Sequence, residues 1–153
     1  MSYQESKSVT NILATIVVTG IYSLIVYQRY LNGTVDTSDV FKFWAITMLI
    51  FIPISIVARI IILIIFSIFT SVVQTAKGEE VENLEFVDER DKLIELKVTK
   101  ISMIVFSLGF ILALVTQLGN MSNHVFFITL VVVGVITEIV SELGSIYYYR
   151  KGL

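Results

Sequence analysis

The stretch 41-FKFWAITMLIFIPISIVARIIILIIFSIFTSVV-73, Phe41 to Val73, decides what kind of molecule this is. It is apolar almost throughout, yet Arg59 stands near its middle. A charge at such depth in hydrocarbon is costly, and ionisable groups in membrane helices usually face a bundle interior and pair there. The last apolar run is interrupted in the same way, by Glu138 and Glu142. The implied object is a small set of membrane-spanning helices with a polar seam.

Composition agrees with this. Hydrophobic residues make up 56% of the 153 and charged residues only 16%, outside the range of soluble globular chains. A single membrane domain over residues 1–153 is expected, with no separate soluble unit. Cys is absent, which excludes disulfides, iron–sulfur ligation and thiol chemistry. With one His, a His-based metal or relay site is not expected either.

Four apolar runs stand out, at about 9–31, 41–73, 101–118 and 125–149. Each reaches the roughly 17–25 residues needed to cross ~30 Å of hydrocarbon. The first exceeds a signal-peptide core and lacks a small-residue cleavage site, so it reads as a retained helix. The second is too long for a straight crossing. It tilts, kinks at Pro53 or extends beyond the membrane; halves divided at Pro53 would be too short to span. The expected fold is all-α, an integral membrane four-helix bundle.

Lys and Arg placement sets the expected orientation. One side holds Lys7, Lys77, Arg90, Lys92, Lys97, Lys100, Arg150 and Lys151, and the other only Arg29 and Lys42. The positive-inside rule then puts the N and C termini and the middle connection in the cytoplasm. Tyr27, Tyr30, Phe43, Trp44, Phe126 and Phe127 form an outer aromatic belt, and Tyr147, Tyr148 and Tyr149 an inner one. The short turn near Gly119–His124 predicts an antiparallel hairpin of spans three and four.

Depth counting brings the intramembrane charges together. Arg59 lies about 24 Å along span two and Glu138 about 20 Å along span four, with Glu142 one turn deeper on the same face. An Arg59–Glu138 or Arg59–Glu142 pair is expected, and its first reading is a registry device between helices. The other readings are a proton or ion site built on two carboxylates, and snorkelling of Glu142 to the inner surface. Two stripes mark expected helix contacts: Thr15, Thr19 and Ser23 with Gly20 on span one, and Gly134, Glu138, Ser141, Glu142 and Ser145 on span four.

The acidic connection at about 74–100 is the most patterned polar segment. Glu79, Glu80, Glu82, Glu85, Asp88, Glu89 and Asp91 face a single Arg90. Asp88 can cap a helix that starts near Glu89, with first-turn acids favoured by the helix dipole. Leu93, Ile94, Leu96 and Val98 then lead into span three, predicting one continuous helix to Leu118. Lys97 and Lys100 fall at headgroup level, where anionic lipid favours them. The charged stretch is a solvated loop, a dock for a cytoplasmic protein partner through Glu85, Asp88, Glu89, Arg90 and Asp91, or a divalent-cation site built on its clustered carboxylates. It lacks the spacing of a calcium-binding EF-hand.

No phosphate loop, metalloprotease helix or nucleophile elbow is present, so no enzyme activity, cofactor or metal is expected. His124 reads as an interfacial residue. The tripeptides Asn32-Gly33-Thr34 and Asn120-Met121-Ser122 fit the glycosylation pattern and are read as chance matches.

From Asp88-Glu89-Arg90-Asp91 through Leu93-Ile94 and Lys97, the chain resembles small uncharacterised prokaryotic membrane proteins with a D-E-R motif before a membrane hairpin. The resemblance covers about Val87 to Tyr149. Some members are encoded beside helix-turn-helix regulators, so it implies a regulatory or signalling protein of a prokaryotic cell membrane, and transfers no catalytic residue. The leading expectation is therefore an interaction protein in the lipid bilayer, not a nucleic-acid binder. The alternatives are an ion- or proton-coupled transporter, expected to be a homo-oligomer, and an accessory subunit of a membrane complex.

Overall fold

The computed structural model describes residues 3–35, 38–77 and 89–152. They form four α-helices: α1 Tyr3–Leu31, α2 Val40–Lys77, α3 Glu89–Leu118 and α4 Asn123–Lys151. All four are long and apolar enough to cross a membrane. The fold is an all-α four-helix bundle. Glu79, Glu80, Glu82, Glu85 and the proposed cap Asp88 lie outside the described residues.

Local chemistry sets the helix ends. Lys42 N–H donates to Asp39 Oδ1 at 3.1 Å, capping the start of α2. At the end of α1, Gly33 takes the left-handed conformation, with φ 62°. Thr34 N–H donates to Arg29 O and Gly33 N–H to Tyr30 O, the paired bonds of a Schellman motif. Asn120 repeats this after α3, with φ 53° and Met121 N–H donating to Thr116 O. This turn gives Asn120 a structural role in the α3–α4 hairpin. Ser122 then caps α4 by accepting from His124 N–H at 3.3 Å.

Span two is one continuous helix through Pro53, so the reading that divides it there does not hold. Proline lacks the N–H that would bond the carbonyl of Leu49. The Ser55 hydroxyl donates to the nearby Ile52 carbonyl at 2.8 Å. At 1.5 Å per residue, the 38 residues of α2 reach about 57 Å, well beyond the ~30 Å hydrocarbon thickness.

The helices run up and down, so both turns lie at one end (the loop end) and both chain termini at the other (the terminal end). α4 is the hub: it packs on α3 and α1 and approaches α2 lightly. α2 packs on α1, while among the described residues the α3 backbone approaches only α4. The α3–α4 contact depends on small residues. A Cβ on Gly109 would meet both methyls of Val133 far inside van der Waals contact, and one on Gly144 would meet Val98 at 3.4 Å. Such residues let backbones approach closely in lipid. Gly20 and Gly134, read from sequence as contact points, instead face open space. Those positions lie on faces turned from their neighbours.

Gly109→Ala should weaken the α3–α4 contact by about 1–3 kcal/mol, the usual cost of overpacking. Gly134→Ala should be neutral or slightly stabilising, since Ala is the better helix former. Reversible unfolding in mixed detergent micelles measures both. Equal stability of Gly109→Ala and the parent would mean that Val133 yields without cost.

Candidate functional site

The polar side chains of α1, α2 and α4 converge on one line through the bundle. On α2, Arg59 follows the Ile54–Ala58 stretch and presents its guanidinium to α4, where Nη2 donates to Glu138 Oε1. Glu142, one turn along α4, takes a different partner: Asn11 Nδ2 of α1 donates to its Oε1 at 2.7 Å. The two carboxylates that share a face are thus divided between two helices. Each joins α4 to a different neighbour.

The Arg59–Glu138 pair bridges α2 and α4 where their backbones approach little. The long guanidinium arm spans what backbone packing does not. Neither side chain is fully enclosed, at 43% and 27% exposure. In hydrocarbon that open side offers no water to compete, so the pair stays weakly screened.

Around Asn11 the seam is incompletely satisfied. Asn11 Oδ1 and Thr15 Oγ1, one turn apart on α1, are buried without a hydrogen-bond partner. Thr15 itself is only 6% exposed. Thr137 Oγ1 on α4 is buried and unpartnered as well. Buried polar atoms of this kind are uncommon in native folds.

At the loop end, a second set of contacts ties α1, α2 and α4. Trp44 Nε1 donates to His124 Nδ1 at 3.1 Å, so His124 carries its own proton on Nε2 when neutral. Trp44 also stacks on Phe127, with centroids 5.6 Å apart, and Phe43 beside it is 5% exposed. Tyr30 of α1 closes the cluster with a tilted ring contact to Phe43 and an edge contact to His124. Below it, the Tyr22 hydroxyl donates to the Thr47 carbonyl at 2.6 Å. Between this cluster and the charged seam lies a crevice of about 540 Å³ lined by α1, α2 and α4.

At the terminal end, the α3 charges are engaged with α4. The Tyr149 hydroxyl donates to Asp91 Oδ1 at 2.8 Å, and Arg90 Nη2 donates to the Tyr149 carbonyl at 3.4 Å. Lys97 Nζ lies 5.6 Å from the centre of the Tyr148 ring, within cation–π range. Lys100 is exposed one turn further on. Arg150 Nε donates to Glu5 Oε1 at 3.1 Å, joining α4 to α1. Asp91 and Arg90 therefore serve the hairpin, whatever else the acidic segment does.

Asn11, Trp44 with His124, and Gly109 were not singled out as contacts by sequence reading. Asn11 had a usable signal, as an amide inside an apolar run at a depth matching Glu142. Comparison with protein-family models, curated proteins and solved structures finds no match to this chain.

Arg59→Leu should destabilise the bundle by about 1–3 kcal/mol, because it leaves Glu138 without its cation in a weakly polar setting. The double variant Arg59→Leu/Glu138→Leu should recover most of that loss, since an ion pair replaced by apolar groups is often near neutral. Unfolding titrations of the singles and the double give the coupling. A double variant less stable than either single would contradict this account.

Proposed function

We propose that this chain is a multi-pass protein of a prokaryotic cell membrane, regulatory or interaction in type, with its terminal end in the cytoplasm. The observation that carries this reading is the helix length and charge that α2 and α3 add at that end. About 57 Å of α2 cannot be contained in a ~30 Å hydrocarbon layer. The first turns of α3 carry Glu89, Arg90, Asp91, Lys92 and Glu95 ahead of its apolar run.

These turns are held against α4 by Tyr149, which makes them a pre-ordered surface. Binding there loses less conformational freedom than binding to a loose segment. On the outside of the same turns, Leu93 and Leu96 are 59% and 67% exposed, an apolar pair flanked by charges. Ile94 and Val98 meanwhile face inward and are buried. This division gives the projecting helix one face for α4 and another for a partner. The Arg59–Glu138 pair acts in this reading as the fastener that holds α2 to α4.

A second reading, proton- or ion-coupled transport in a homo-oligomer, draws support from the unpartnered Asn11 and Thr15 oxygens beside Glu142. Glu142 would be the coupling carboxylate, and Asn11 would hold it in place through its amide N–H.

The two readings predict different losses. Under the interaction reading, a specific partner co-purifies with the full chain, and neutralising Glu85, Asp88 and Glu89 together abolishes its recovery. Tyr149→Phe, which releases Asp91 alone, should weaken recovery only partly. Under the transport reading, liposomes show a proton or sodium flux that Glu142→Gln removes, and partner recovery is indifferent to the acidic residues. Unchanged recovery in the triple variant counts against the interaction reading.

A further inference from the structure

The single tryptophan and the single histidine of the chain, Trp44 and His124, meet at the loop end of the bundle. The bond between them has a fixed polarity. An indole nitrogen can only donate, so the 3.1 Å contact requires a bare Nδ1 on His124. A protonated imidazole carries hydrogen on both nitrogens and accepts nothing. Protonation therefore sets two N–H groups against each other, and the contact cannot persist in that form.

The surroundings offer the charged ring little compensation. His124 meets Tyr30 of α1 and Phe43 and Trp44 of α2, with ring centroids 6.1–6.4 Å away. The charged groups at that end are Arg29 of α1, Lys42 of α2 and Asp39, with Asp36 outside the described residues. Two of them are cations, and Asp39 directs its carboxylate to the Lys42 backbone N–H. The turn from α3, Gly119 to Asn123, has no ionisable side chain. Among the described residues His124 forms no ion pair. It also stands in the first turn of α4, where the helix dipole opposes a cation.

The link matters because the α2 and α4 backbones approach so little. Trp44 ties α2 to α4 near the loop end, and Arg59 does so about 22 Å further along the helix. Tyr30, Phe43, Trp44 and His124 also line the loop end of the crevice of about 540 Å³. Losing the Trp44 bond frees the start of α2 while Arg59 still holds its middle to Glu138.

We infer that the Trp44–His124 contact is a pH-operated latch. It is closed while His124 is neutral. On protonation it opens, the loop end of α2 parts from α4, and the crevice widens there. Histidine is the side chain whose ordinary charge change falls between pH 5 and 8, so the latch answers to the acidity of the compartment at the loop end.

The absence of Cys makes the motion measurable with paired spin labels. One pair, Lys42→Cys with Met121→Cys, uses exposed positions at the loop end. A second, Val72→Cys with Leu143→Cys, uses exposed positions toward the terminal end. The full chain is placed in phosphatidylcholine vesicles, and pulsed electron paramagnetic resonance gives each distance distribution from pH 8 to pH 5.

At the loop end a longer-distance population should grow as pH falls. Its ratio to the shorter one should rise by up to about tenfold per pH unit, the slope of one proton. The terminal-end pair should not change. His124→Gln offers Trp44 an amide carbonyl that does not titrate, so the short distance should persist throughout. Trp44→Phe, which has a ring for Phe127 but no N–H donor, should also lose the pH dependence. An unchanged loop-end distribution in the parent, as when aromatic faces retain the cation, overturns the proposal. So does a pH response that survives in either variant, or one of equal size at the terminal end.

Discussion

The structure depends on keeping an arginine and a glutamate together inside the apolar spans of α2 and α4. Arg59 and Glu138 meet between α2 and α4, two helices whose backbones hardly approach. In a soluble bundle such helices would be joined by burying apolar surface. Lipid chains are as apolar as leucine, so that driving force is missing between membrane helices, and packing and polar contacts must do the joining. The contacts of α4 follow from this. It meets α3 through small residues at Gly109 and Gly144, α1 through Asn11 and Arg150, and α2 through Arg59 and Trp44.

These joints differ in kind. Close backbone packing at Gly109 is short-ranged and rigid, and it tolerates no added atom. The polar links from α1 and α2 reach across wider gaps and leave space beside them. The crevice lies on that looser side of the molecule. Rigidity on one face of α4 and open volume on the other come from the same sequence property: glycine spaced along the α3–α4 contact, and long or branched side chains between α1, α2 and α4.

Much of the architecture was legible in the sequence because hydrocarbon imposes length and polarity rules. The four runs became four helices, and the acidic start at Glu89 became the first residue of α3. Depth alone brought Arg59 level with Glu138 and Glu142, but could not choose between them. That choice depends on the rotation of α4 and on Asn11 occupying Glu142, neither of which depth encodes. Glycine was a weak guide for a related reason. Gly20 and Gly109 look alike in sequence, and only the helix rotation makes one a contact and the other an open position. The link from Trp44 to His124 was hidden because aromatic residues at both interfaces are the norm, whether or not they touch.

The separation of 79 residues from Arg59 to Glu138 sets a clock on assembly. At about 5–20 residues per second of synthesis, Glu138 follows Arg59 by on the order of four to sixteen seconds. During that interval α1 and α2 are already made, and the guanidinium has no permanent partner. It must reach toward an interface or be shielded by the insertion machinery until α4 arrives. The α3–α4 hairpin, by contrast, packs through neighbours in sequence and can close as soon as it is made. The molecule is thus completed late, when its last helix receives a charge that has been waiting since the second.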